Sequence, residues 1–244
     1  MYIFSAIRDN KRRKPLEDYC QYMWVSIGGA DPETICLAAV SDGIGSCDRS
    51  DEISEAAVTL LFQAVIPLLS SNGYMDGNSF ERNRLIESWG RDVVYDMNKR
   101  LMEIFAGINI GATLSFAVCR GDYVFVRICG DSPVFLHDGV KCRLMFPVGL
   151  DNSDRYTLRS CLGLPDLTET EKEIEAETGA SHCHGFISRP ADTLILCSDG
   201  ACEGIDEEAM AKLLTSGVND ATSLILDNAE TADDQSIILI RFMD

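Results

Sequence analysis

The sequence predicts an α+β fold made of two antiparallel sheets covered by long helices. Three observations predict it. Apolar, β-prone runs open the chain, and two long helical patterns follow. A series of short strands joined by tight turns comes next, and the chain closes as strand, helices, strand. That order lacks the β-α-β alternation of a parallel sheet.

Tyr2 to Arg8 alternates as a half-buried strand does, and Gln21 to Ile27 and Thr34 to Val40 are apolar and β-prone. Asp51 to Leu69 reads as a helix, because Ile53, Ala57, Leu60, Leu61 and Val65 fall on one face. Pro67 is expected to kink or end it. Ser70 to Asn78 reads as a loop. Phe80 to Phe105 carries the second helical pattern, weakened in its middle by Gly90. Short strands are expected at Ala112 to Cys119, Tyr123 to Cys129, Val134 to His137 and Val140 to Leu144. Arg120-Gly121-Asp122 and Asp138-Gly139 supply turns, the second a hairpin signal. Met145 to Thr178 is the least regular stretch, and its acidic run Glu169 to Glu177 reads as a solvated surface segment. Thr193 to Cys197 is a buried strand running into Ser198-Asp199-Gly200. Asp206 to Leu214 and Asp220 to Ala229 read as short helices, and Gln235 to Phe242 as the closing strand.

With 244 residues the chain can bury a full core. It has no repeat, low-complexity run or Pro/Gly-rich linker, so a single domain over 1–244 is expected. The net charge of −18 repels nucleic acid and anionic membranes at long range, so neither is an expected partner. No eighteen consecutive residues are apolar, and the N-terminal stretch turns charged at Arg8, so neither a membrane span nor a signal peptide is expected. Ten cysteines occur without a C-x-x-C pair. Cys20, Cys36, Cys119, Cys129 and Cys197 sit among apolar residues, which predicts reduced thiols in a cytoplasmic protein, expected to be a monomer. His182-Cys183-His184 lacks a second ligand group and makes a poor zinc site.

The chemistry gathers at strand ends. Ala38-Ala39-Val40-Ser41 runs into Asp42-Gly43, Leu194 to Ser198 runs into Asp199-Gly200, and Asp233-Asp234 precedes the strand Ile237 to Ile240. Glu17-Asp18 lies near another strand, and Asp131 follows Cys129-Gly130. Asp-Gly alone is a common turn. Several such acids on one sheet rim instead make an oxygen-only donor set suited to Mg²⁺ or Mn²⁺. Glycine beside them lets backbone carbonyls come close to a ligand. Two such ions can activate a water and clamp the oxygens of a phosphoryl displacement, with an arginine holding the phosphate.

The ordered series Arg13 to Asp18, Val40-Ser41-Asp42-Gly43, Gly111-Ala112-Thr113, Gly130-Asp131-Ser132, Cys197 to Gly200 and Asp233-Asp234-Gln235-Ser236 resembles the signature series of the PP2C (PPM) protein phosphatases. It spans nearly the whole chain in the family's order. The resemblance implies a four-layer α-β-β-α sandwich with a dimetal site at one edge. It implies hydrolysis of phosphoserine or phosphothreonine on a phosphorylated protein substrate, by a water between two Mn²⁺ or Mg²⁺ ions. Asp42 would bridge both ions, with the Gly43 carbonyl as a further ligand. Asp199 and Asp233 would bind the first ion and Glu17 the second. Asp18 would orient the water from behind, Asp131 would serve an optional third ion, and Arg13 would bind the phosphate. Gly111-Ala112-Thr113 reads as structural, and Asp234 as a non-ligand.

Three departures stand out. Pro133 follows Gly130-Asp131-Ser132 where many relatives have Arg. The T-x-D-H-S stretch is missing, Pro147 to Ser153 taking its place without a His. Ile44 follows Asp42-Gly43, where some relatives carry a His proton donor. The alternative reading is a catalytically inactive PP2C-like domain that binds phosphoproteins or regulates a partner. The presence of all four core acids weighs against it.

Overall fold

The computed structural model describes residues 1–9, 15–28, 32–146, 150–151, 154–216 and 220–243. Strands β1 (Tyr2–Arg8), β2 (Asp18–Ile27) and β3 (Glu33–Asp42) open the chain, and helix α1 (Ser50–Leu69) follows. Strand β2 starts three residues before the expected Gln21, and β3 runs on to Asp42, because these ends pair with each other. Pro67 stands in the last turn of α1, which ends two residues later without a break. Helix α1 is long and apolar enough to cross a bilayer by length and composition, yet half of that window is buried inside the protein.

The expected loop at Ser70 to Asn78 holds a one-turn helix, α2 (Asn72–Met75), capped by the Ser71 side chain. Asn78 then starts α3 (Ser79–Ile104) with a reciprocal cap. Its Oδ1 accepts from Phe80 N and Glu81 N, while Glu81 Oε2 accepts from Asn78 N at 2.8 Å. Gly90 costs the helix propensity but is demanded by packing, since a Cβ there would lie 2.5 Å from the Phe125 ring.

Next come β4 (Leu114–Arg120), β5 (Tyr123–Cys129), β6 (Val134–His137) and β7 (Cys142–Leu144). Strand β7 starts two residues later than expected, because the Asp138 carboxylate accepts from both Val140 N and Lys141 N and holds those residues in the turn. A small hairpin, β8 (Leu150–Asp151) and β9 (Asp154–Leu158), leads to α4 (Leu167–Thr178). Helix α4 corrects the reading of Glu169 to Glu177 as a solvated segment. Leu167, Glu171 and Ile174 face inward, and Glu171 is 1% exposed. Strand β10 (Cys183–Ile187) was not expected. It contains His184, exposed and stacked on Phe186, while the preceding His182 is buried 3.3 Å from Glu175 Oε1. Strand β11 (Thr193–Cys197), helices α5 (Glu207–Thr215) and α6 (Ala221–Asn228), and strand β12 (Gln235–Arg241) complete the chain.

All pairings are antiparallel. One sheet runs β1-β12-β11-β6-β7 and the other β10-β5-β4-β3-β2. Their facing sides share a core with Val40, Ala117, Val126, Leu194 and Ile238. The outer side of the second sheet packs Leu37, Phe116 and Phe125 against α1 and α3 through Leu61 and Val94. The outer side of the first packs Ile195 and Leu239 against Met210 of α5 and Ile225 of α6. The result is the four-layer α-β-β-α sandwich. With both faces of each sheet covered, the central strands read as continuous apolar runs although they are antiparallel.

Candidate metal centre

Strand register makes the first juxtaposition. In the β2–β3 pair, Asp18 stands directly opposite Asp42. Opposed residues place their Cβ atoms about 4.5–5.5 Å apart on one face, and like charges there repel. The other sheet brings Asp199 from the end of β11 and Asp233-Asp234 from just before β12. These two strand ends are tied by Ser198 N to Ser236 O at 3.0 Å and Ser236 N to Ser198 Oγ at 3.0 Å.

The carboxyls of Asp18, Asp42 and Asp199 interact directly. Burial holds the Asp18 carboxyl up at about 6, with the Asp199 charge adding to the rise. Burial pushes Asp42 well above the usual carboxylate range, reinforced by the charges of Asp18 and Asp199 and by hydrogen bonds with both. Burial, then the Asp199 charge, raises Asp131 to about 6. Asp18 Oδ2 and Ser236 Oγ are buried with no hydrogen-bond partner among the described residues. Acids that resist ionisation together, with one buried carboxylate oxygen left over, fit divalent cations bound by oxygen alone. Among the described residues no three His, Cys, Asp or Glu side chains already stand as a closed ligand set.

The rest of the site is built by short contacts. Glu17 Oε1 accepts from Ser50 Oγ at 2.6 Å, and Glu17 N donates to Asp234 Oδ2 at 2.9 Å. Gly43 N donates to Glu17 O at 3.0 Å. A Cβ on Gly43 would lie 2.3 Å from Ser50 O, and one on Gly200 would lie 2.2 Å from Asp234 O. These two glycines therefore answer close backbone approach rather than unusual φ. Asp233 is exposed and its Oδ1 accepts from Asp234 N at 2.9 Å. Thr113 backs Asp42 twice. Its Oγ1 accepts from Asp42 N at 3.0 Å, and its N donates to Asp42 O at 2.8 Å. Its hydroxyl also shares a 2.5 Å hydrogen bond with Ser132. Arg13 lies outside the described residues, as do Arg12 and most of Pro147 to Ser153.

Sequence reasoning missed Ser50 and Asn98. Ser50 showed only as a residue before a helix. Asn98, 3% exposed on α3, showed only as a polar residue on an apolar face beside Val94, Met97 and Leu101. Its Oδ1 accepts from Gly163 N at 2.7 Å and its Nδ2 donates to Leu164 O at 2.8 Å. Leu162 bridges Ala112 through N to O at 2.8 Å, and Ala112 forms a bridge with Gly43. Asn98 thus braces the backbone that carries Asp42 and Gly43. Asn98→Ala leaves two backbone groups unsatisfied and should cost about 2 kcal/mol. Thermal unfolding without added metal checks this, and an unchanged midpoint would remove the bracing role.

The sequence matches the family described as protein phosphatase 2C over residues 8–228. A search of curated proteins returned no significant match. The serine/threonine phosphatase Stp1 from Staphylococcus aureus superposes with a TM-score of 0.71 at 16% identity, covering 99% of this chain and 95% of its own. The catalytic domain of the serine/threonine phosphatase PstP, solved with two manganese ions, superposes at 0.66 with 16% identity, covering 100% and 98%. PppA, a regulatory component of the type VI secretion system in Pseudomonas aeruginosa, superposes at 0.66 with 18% identity, covering 98% and 96%. At such identities the superpositions establish the shared fold, and the family match does the rest: this chain belongs to the protein phosphatase 2C family.

Proposed function

We propose that this chain hydrolyses phosphoserine and phosphothreonine on proteins with the help of bound Mn²⁺ or Mg²⁺. The observation that carries the reading is the meeting of Asp18, Asp42 and Asp199 from two sheets, with a buried carboxylate oxygen unpartnered. Asp42, Asp199 and Asp233 would hold one cation. Asp42, Glu17 and the Gly43 carbonyl would hold a second, and Asp131 would serve a third. Bound there, divalent cations supply the charge that activates a water and neutralises phosphoryl oxygens. The protein's own part is positional. Ser50 and Asp234 fix Glu17 by side chain and backbone. Thr113 fixes the backbone of Asp42. Asp18, buried opposite Asp42, would orient the attacking water. Arg13 is proposed as the bidentate grip on the phosphate. Ile44 offers no proton to the leaving group.

The test is turnover of a phosphothreonine peptide with Mn²⁺, with Mg²⁺, and after EDTA. Activity that depends on the cation and returns when Mn²⁺ is restored is expected. Cation binding by calorimetry with no turnover would overturn the reading in favour of a non-catalytic phosphoprotein-binding domain.

A further inference from the structure

A cleft opens along one flank of the sandwich, where the edge strand β7 of one sheet faces the edge strand β10 of the other. Two cavities of about 230 and 400 Å³ meet there at Arg143. Their walls are apolar at Leu136, Phe146 and Phe186, while Lys141, Arg143 and Arg189 are exposed around the mouth. Lys141, Arg143 and Arg189 have no ion-pair partner among the described residues, a condition they share with Arg84, Arg91, Arg100 and Arg241 elsewhere on the surface. The two acids lining the cleft are already engaged. Asp138 accepts from Val140 N and Lys141 N, and Asp192 accepts from Arg189 N at 2.8 Å. Neither edge strand pairs with another described strand on its outer side, but α5 meets β7 there, Leu144 N donating to Glu207 Oε1 at 2.5 Å, so the open edge is that of β10.

We propose that this cleft docks an extended, acidic peptide segment of the protein substrate, a role that rests on the phosphatase reading. The apolar floor and the edge of β10 suit an extended chain, which can add to a sheet edge. The three cations suit its carboxylates or phosphates. The placement suits a substrate. Cys183 pairs with Arg127 and Ile187 with Tyr123. Asp131 lies four residues beyond Arg127 and eight beyond Tyr123, so the cleft spans about 13–26 Å from the candidate centre at a strand's rise. An extended peptide with its phosphorylated residue at the centre would lay residues several positions away into the cleft.

The test reads binding, so it holds whether or not the chain turns over. Fluorescence anisotropy follows a labelled peptide rich in Glu and its Gln counterpart. The wild type should bind the Glu peptide at least about tenfold more tightly. The triple variant Lys141→Glu/Arg143→Glu/Arg189→Glu should lose that preference. Arg84→Glu/Arg91→Glu/Arg100→Glu on α3, with the same change in net charge, should keep it. Milder Arg143→Gln/Arg189→Gln serves if the triple variant fails to fold, and should weaken binding severalfold. Equal binding by wild type and cleft variants overturns the proposal. So does equal loss in the α3 control, which would mark a general field effect. A single-stranded oligonucleotide that binds as tightly, with the same sensitivity to the cleft variants, would overturn the peptide assignment.

Discussion

Asp42→Asn should leave a folded protein whose Mn²⁺-dependent turnover falls by about a hundredfold or more. Burial, then the charges of Asp18 and Asp199, disfavours the ionised form of Asp42 in the absence of a cation. The amide keeps the shape but removes the charge that two cations would share. The same change should relieve the metal-free protein. With EDTA its melting temperature should hold or rise, because one of three interacting acids is gone. The pH dependence carries the sign. The Asp18 carboxyl sits at about 6 in the folded protein, above its ordinary value of 3.8. The folded state therefore binds the proton more tightly, and metal-free stability should fall as pH rises from about 4 to about 6. In Asp42→Asn that fall should shrink. Full turnover in the variant with Mn²⁺ would dismiss Asp42 as a shared ligand. A wild-type melting temperature that rises over the same pH interval would dismiss the burial-raised Asp18 carboxyl.

The parts of this site that could be read from sequence are those written locally. Asp42-Gly43 and Asp199-Gly200 follow apolar runs, so their place at strand ends was legible, and so was the sandwich that holds those strands. The direct opposition of Asp18 to Asp42 was not, because it depends on register, and β2 begins at Asp18 only through its pairing with β3. Strand β10 was hidden by His184 and Gly185, which are poor strand formers, and by its position at a sheet edge. Asn98 was invisible for a different reason. Its partners Gly163 and Leu164 lie more than sixty positions away, in a stretch with no periodicity of its own. Glu171 shows the same limit. At the spacing of Leu167 and Ile174 it marks the inner face of a helix, but a carboxylate there makes sense only once Arg127 on a distant strand is known.

Glu171→Ala should be strongly destabilising, costing about 3–5 kcal/mol. The Arg127 and Glu171 side chains are each 2% exposed and form an ion pair between β5 and α4. Tyr95 OH donates to Glu171 Oε2 at 2.9 Å, and the Arg127 guanidinium lies over the Tyr95 ring at 5.6 Å. Arg127 also donates to Ile128 O and His182 O, so one guanidinium ties α4, α3, β5 and the chain entering β10. Removing the carboxylate strands that cation in the core with only carbonyls to face. At about 2–4 °C per kcal/mol for a chain of this size, the melting temperature should fall by roughly 10 °C. Glu171→Gln should fall less, since an amide oxygen can still accept from Arg127 and Tyr95. The decisive variant is Arg127→Met/Glu171→Leu. If the pair is a buried charge held at a desolvation cost, the double apolar replacement should recover most of the loss and come close to wild type. A double variant as unstable as Glu171→Ala would mean that the hydrogen bonds to Ile128 and His182, rather than the ion pair, hold α4 and β10 in place. A Glu171→Ala loss below about 1 kcal/mol would mean that water reaches the pair and screens it.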